Sequence, residues 1–191
     1  GLSLPSADAQ RTILEQVYSE AGVAAEDLSF VEAHGTGTRV GDPIEADALG
    51  KALGQKRTQP LPIGSVKSNI GHLEPASGLA GVLKAVLALA KGVVPATLHQ
   101  QVPNSDIPFD ELNLRVLNRA WRLPERRAPH LAGVNSFGFG GTNAHVILRS
   151  DEAVVSILNG RKGASIPPLV LTAHSSEALA AVASTYVDHW P

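Results

Sequence analysis

Neither cysteine nor methionine occurs among the 191 residues. The first absence removes disulfides, thiolate metal sites and a thiol nucleophile, and leaves the redox compartment open. Given the second, the sequence is expected not to begin at a native start, with Gly1 an excision or cleavage point. Long apolar runs are missing too. The longest, Leu79 to Ala90, is interrupted by Gly81 and Lys84, well short of the roughly 20 residues that span a bilayer. The amino end, Gly1-Leu2-Ser3-Leu4-Pro5, has no basic region of the signal-peptide kind, and a cytoplasmic location is expected. Sixteen Lys and Arg against 18 Asp and Glu leave a net charge of −2, which argues against an electrostatic grip on nucleic acid or an anionic membrane. What is present is ordinary globular composition, 43% hydrophobic and 18% charged, with 18 glycines and 13 prolines. The length suits one core, or one core and the start of another.

Helix and strand signals alternate. Ser6 is a candidate N-cap with Asp8 in the first turn. Ile13, Leu14, Val17, Tyr18 and Ala21 follow on one helical face, and Gly22 ends the run. Leu28 to Ala33 reads as a buried strand running into a turn from His34 to Gly41. Asp42-Pro43-Ile44-Glu45 predicts a helix start, with Asp42 as cap and Glu45 at the third position, reaching Leu53 with Gly54 as its terminator. Leu61 to Ser65 predicts a second strand, Val66 to Glu74 a second turn. The helix from about Pro75 to Lys91 is apolar nearly all round and is expected to be buried on most sides. Loops around short strands near Leu114 to Leu117 fill 95–129. Strands Leu131 to Ser136 and Ala144 to Leu148 flank a glycine-rich turn. The expected division is a main α/β unit over 1–149, a linker over 150–168, and over 169–191 the first strand (Leu169 to Ala173) and helix (Ser175 to Trp190) of another module.

Three segments carry chemistry: Val31 to Thr38, Gly64 to His72, and Asn135 to Asn143. Each predicts a strand feeding a glycine-bearing turn, and together they suit one pocket holding two imidazoles, an ammonium and an anion-binding loop. His34 lies at the carboxyl end of a strand, where open α/β sheets place ligands; otherwise it bonds a backbone carbonyl in a tight turn. Thr36 and Thr38 are either turn-capping hydroxyls or donors to a ligand. Lys67 beside His72 favours a neutral imidazole, unless Lys67 pairs with Glu32, Glu45 or Glu74. Two neutral imidazoles, His34 and His72, suit a site that stabilises a carbanion next to a thioester. The amides of Phe137 to Thr142 form either a nest for an anionic oxygen or a plain turn. Phosphate binding is the poorer reading, because Gly138-x-Gly140 lies between two strands and no GxxxxGK[ST] occurs. A metal site of His34, His72 and Asp42 matches no common ligand spacing, and no metal is expected.

These stretches, Glu32 to Thr38 through Gly41-Asp42-Pro43-Ile44-Glu45-Ala46, Gly64 to His72, and Asn135 to His145, closely resemble the carboxyl-terminal half of ketosynthase (β-ketoacyl synthase) domains of modular type I polyketide synthases. The resemblance runs from Gly1 to about Leu148, and the end of the chain resembles the start of the ketosynthase–acyltransferase linker. It implies the second half of a thiolase-like fold and a decarboxylative Claisen condensation of an acyl chain with malonyl or methylmalonyl on an acyl carrier protein. It implies His34 and His72 as the two catalytic histidines, Lys67 as their supporting lysine, Thr36 and Thr38 as contacts of the phosphopantetheine arm, and Phe139, flanked by Gly138 and Gly140, at the oxyanion hole and gate. No cofactor is bound directly; the phosphopantetheine arm carries the substrate.

The family's nucleophilic cysteine belongs to the other half, so this chain is expected to be inactive alone. The implied partners are that cysteine-bearing half, the carrier protein, a second copy in a homodimer, and a downstream acyltransferase domain. Leu73-Glu74-Pro75-Ala76-Ser77 departs from many relatives. Two alternatives stand beside this reading: a non-condensing ketosynthase-like module kept for decarboxylation or acyl binding, and a free-standing interaction domain.

Overall fold

The computed structural model describes residues 5–126, 128–138, 140–151 and 171–189. The chain divides into two compact units, Gly1–Leu158 and Asn159–Pro191, taken separately below.

In the first unit, Ser6 accepts a hydrogen bond from the Ala9 amide and opens α1 (Ala7–Ala21), which Gly22 closes in the left-handed conformation, as its sequence predicts. Strand β1 (Leu28–Glu32) is buried at every position, as expected of a strand covered on both faces. Helix α2 (Gly41–Ala52) and strand β2 (Leu61–Gly64) follow. A single turn α3 (Lys67–Ile70) precedes the long helix α4 (Ser77–Lys91). The remaining strands are β3 (Val93–Val94), β4 (Leu114–Val116), β5 (Trp121–Arg122), β6 (Leu131–Phe137) and β7 (Asn143–Arg149).

Five strands form one sheet in the order β4-β2-β1-β6-β7. β4, β2, β1 and β6 are parallel, and β7 closes the edge antiparallel to β6. Side chains alternate across it. Leu28 and Val31 join Leu14, Tyr18, Ala46 and Leu49 of α1 and α2 on one face. Phe30, Ala132 and Val134 pack on Ala85, Ala88 and Leu89 of α4 on the other. Parallel strands end on the same side, so the segments after β1, β2 and β6 converge there.

Three expectations need correction. Gly54 does not terminate α2: Leu53 does, and Gly54 opens a 3-10 turn against which the chain packs so closely that a Cβ would lie 2.2 Å from the Leu112 carbonyl oxygen. Asp42 does not cap α2: the helix starts at Gly41 after Val40, which makes no side-chain cap bond, and the Thr38 hydroxyl accepts from the Gly41 amide at 3.0 Å. Helix α4 is not buried on most sides, because this chain covers only its sheet face. Leu79, Leu83 and Leu87, spaced four apart, stay 75%, 60% and 45% exposed. Such a stripe drives association. The isolated chain is therefore expected to exceed monomer mass in light scattering, and Leu79→Glu with Leu83→Glu to return it toward monomer; a clean wild-type monomer contradicts this.

In the second unit, Ser175 accepts from the Ala178 amide and starts α5 (Ser176–His189). Of the expected strand Leu169 to Ala173, residues 169 and 170 lie outside the described residues and 171–173 form no strand. Most of the expected linker, residues 152–168, also lies outside them. No described helix is long and apolar enough to cross a membrane.

Candidate active site

The carboxyl ends of β1, β2 and β6 deliver His34, Lys67 and Phe137. The loop after β1 is clamped from below by Glu45 of α2, which accepts from the His34 amide at 2.7 Å and the Gly35 amide at 2.8 Å. The sequence casts Glu45 as a helix-start acid; the structure buries it under the loop instead, 5% exposed. Ser65 ties the second turn to the first, donating to the Gly35 carbonyl at 3.1 Å and accepting from the Lys67 amide at 3.3 Å. Gly35 permits this approach: its φ is +45° and a Cβ would meet that of Ser65 at 2.7 Å.

A buried ion pair underlies both turns. Lys84 Nζ lies 2.5 Å from Glu32 Oε2, and Glu32 Oε1 accepts from the Val66 amide. Burial raises the Glu32 carboxyl pKa while Lys84 opposes the rise. Lys67 thus loses one partner offered by its sequence. It forms no ion pair among the described residues, and burial lowers its pKa against the fields of Glu45, Glu32 and Asp42.

The His34 and His72 rings meet edge to face, centroids 5.4 Å apart, and the Phe137 ring lies 6.0 Å from His34. Burial, then the charges of Lys67 and His72, lower His34 to about 4, so its imidazole is neutral near pH 7. His72 Nδ1 accepts from the Glu74 amide at 3.0 Å; in the neutral ring the proton then sits on Nε2, which is left to donate.

Thr36 and Thr38 share a hydroxyl contact of 3.1 Å. Thr38 takes the turn-capping role described above, and Asp42 accepts from the Gly37 amide at 3.0 Å. In the glycine turn, the Gly138 amide donates to the Thr142 carbonyl at 2.8 Å and Gly141 to Gly138 at 3.3 Å. Gly138 is therefore engaged in closing the turn and is no free oxyanion donor. Gly140 is exposed at φ +84°, and Phe139 lies outside the described residues.

A cavity of about 490 Å³ beside the His34 loop is lined by Ala33, Gly35, Thr36, Asp42, Glu45 and Lys67, among others. Among the described residues no three His, Asp or Glu side chains are grouped to hold a metal.

Residues 1–101 match the family described as beta-ketoacyl synthase, C-terminal domain. The chain belongs to the β-ketoacyl synthase family. Residues 103–190 match the ketoacyl-synthetase C-terminal extension, so both histidines and Lys67 fall in the first match and the glycine turn in the second. The chain is 46% identical over 189 residues to the polyketide synthase GfsA of Streptomyces halstedii, covering 93% of this chain and 2% of that one. Its fold superposes on ketosynthase twelve of the bacillaene polyketide synthase of Bacillus amyloliquefaciens with a TM-score of 0.76 and 36% identity, over 100% of this chain and 33% of that one. It also matches a cysteine-to-serine variant of the module 6 ketosynthase of the Bacillus subtilis bacillaene synthase, TM-score 0.75 and 34% identity, over 98% and 34%. The β-ketoacyl synthase chain described here thus spans a tenth or less of the first curated relatives and about a third of the solved ketosynthases. The mixed α/β layers correspond to the carboxyl-terminal part of the thiolase-like ketosynthase fold.

Sequence reasoning missed Lys84 as the buried partner of Glu32. A lone lysine inside an otherwise apolar helix was a usable signal, since a buried ammonium needs a buried acid. His145 is held neutral as well, lowered to about 4 by burial. The unfolded chain then binds more protons between pH 6.5 and 4, so stability falls as pH falls through that window. His145 alone accounts for about 3 kcal/mol of the loss, at 1.36 kcal/mol per unit. Denaturant midpoints measured across the window should drop, and His145→Gln should flatten the drop.

Proposed function

We propose that this chain supplies the histidine half of a condensing site, in which malonyl or methylmalonyl on an acyl carrier protein loses CO₂ and the resulting enolate attacks a cysteine-bound acyl thioester. The pairing of His34 and His72 at the sheet's carboxyl edge is the observation that carries this reading. The His34 and His72 imidazoles hydrogen-bond the thioester carbonyl oxygen as its enolate charge develops. The enolate carbon bonds the acyl carbon, and the cysteine thiolate leaves. Burial first, and Lys67 second, keep His34 neutral, and Lys67 supports the network. Thr36 and Thr38 meet the phosphopantetheine arm at the loop's outer edge, and the Phe139–Gly140 segment contributes to the oxyanion hole.

The nucleophile comes from outside this sequence, which has no cysteine. A cysteine-bearing half of the same ketosynthase fits the exposed Leu79, Leu83 and Leu87 face and the one-third coverage of solved ketosynthases. The wider setting is a cytoplasmic, homodimeric polyketide synthase with a downstream acyltransferase. Intact mass after exposure to an acyl thioester tests the division of labour. The isolated chain should take up no acyl group and the domain with its cysteine half should take up one; CO₂ release without loading in that domain would instead mark a non-condensing module.

A further inference from the structure

A chain of buried polar side chains runs from α1 to the His34 loop through four elements. The Tyr18 hydroxyl lies 3.0 Å from His145 Nε2, His145 Nδ1 lies 2.6 Å from Asn135 Oδ1, and Asn135 Nδ2 donates to Glu45 Oε1 at 2.8 Å. Glu45 then receives the His34 and Gly35 amides. All four side chains are buried. Asn135 and His145 are direct partners in the β6–β7 register. A Cβ on Gly133 would come within 2.7 Å of the Tyr18 oxygen and 2.8 Å of the His145 ring.

The direction of the chain follows from its chemistry. Both Glu45 oxygens accept N–H donors, so the Asn135 amide nitrogen must face Glu45 and its oxygen must face His145. His145 therefore carries its proton on Nδ1, and its Nε2 accepts from the Tyr18 hydroxyl. Reversing any one bond leaves a buried group unpaired.

An imidazole is usually oriented through the partner of its second nitrogen. His34 Nδ1 is buried and has no such partner among the described residues. Its ring direction therefore depends on ring contacts and on the backbone that Glu45 clamps. We propose that Tyr18, His145 and Asn135 are positioning residues that fix the rotation of the Glu45 carboxylate and, through it, the His34 imidazole against His72. The inference rests on the functional reading of His34 given above.

The test uses the ketosynthase domain with its cysteine half present. Asn135→Asp keeps the shape but turns the donor toward Glu45 into a second carboxylate. The charged groups facing this pair are Asp42 and Lys67; His145 and Tyr18 lie on the other side of Asn135. CO₂ release per folded molecule should fall about 100-fold at neutral pH, the scale of a misplaced reacting group. It should recover about tenfold on acidification, once the two carboxylates share a proton and one again donates to the other. Tyr18→Phe, which keeps the ring, should cost a smaller factor of about 3 to 10 with no acid recovery. Acyl loading should stay unchanged in both. Independently of activity, hydrogen exchange at the His34 and Gly35 amides should accelerate in Asn135→Asp. Wild-type rates in both variants, or unchanged exchange at those amides, would overturn the inference. A wild-type domain that releases no CO₂ would defeat the functional reading, and the exchange result alone would then decide the positioning role.

Discussion

Replacing His34 by alanine in a ketosynthase domain that retains its cysteine half should leave acyl loading intact and lower CO₂ release from malonyl-carrier protein by about 10²- to 10⁴-fold. The reason lies in what the imidazole can donate. Held near pKa 4 by burial and by Lys67, His34 is neutral through the physiological range and offers a hydrogen bond without a competing charge. Alanine removes that donor and leaves the neighbouring His72 and Phe137 rings in place. His72→Ala removes the partner whose Nδ1 is already engaged by the Glu74 amide, and should act in the same direction. The pH profile separates this role from general-acid chemistry. His34 should contribute no loss of rate on acidification until the pH approaches 4. A fall centred near 6.5 that His34→Ala abolishes would assign the ring an ordinary imidazolium role instead.

The second large effect is expected from Lys84→Met. Lys84 is 8% exposed, and its partner Glu32 is 1% exposed. Removing one member of such a pair strands the other charge in the interior, a loss of about 3 to 5 kcal/mol. The stranded Glu32 also holds the Val66 amide, so the loss falls on the turn that carries Lys67. The pH dependence has the opposite sign to that of His145. Burial raises the Glu32 pKa, and without Lys84 nothing comparable opposes the rise. The folded variant then binds a proton that the unfolded chain releases, so its stability recovers as pH falls and is lost as pH rises. Denaturant midpoints near pH 5 and pH 8 should therefore diverge in the variant. Glu32→Gln combined with Lys84→Met should restore most of the loss, because no bare charge remains; a double variant no better than Lys84→Met would mean that packing, rather than charge, dominates.

Much of the architecture is legible because local signals and the global fold agree. Ser6 and Gly22 bracket α1 by chemistry that acts within one turn. The mostly apolar stretch of Leu28 to Val31 announces a strand covered on both faces, and β6 and β7 pair around their glycine turn. His34, Lys67 and His72 could be placed because each follows a strand end, and parallel strand ends converge. What was hidden depends on contacts distant in sequence. Glu45 has the pattern of a capping-box acid, yet the amides it meets belong to a loop, eleven and ten residues earlier. Asn135 and His145 look like ordinary hairpin residues until Tyr18, 127 residues from His145, closes the chain of bonds. The α4 sequence is apolar nearly all round, and that pattern does not say which face this chain itself covers. Gly138 has the composition of an anion nest, and its amide turns inward because a tight turn needs that bond to close.

The central claim is that this chain holds the histidine half of a condensing site whose nucleophile lies elsewhere, and the mass of the carrier-bound product tests it most directly. The ketosynthase domain with its cysteine half, given an acyl donor and malonyl-carrier protein, should yield a carrier-bound chain longer by one ketide unit; the isolated chain should yield none, and the His34→Ala domain about 10²- to 10⁴-fold less. A cysteine-bearing domain that loads its acyl group but never produces the lengthened chain, or an isolated chain that produces it unaided, would contradict the account.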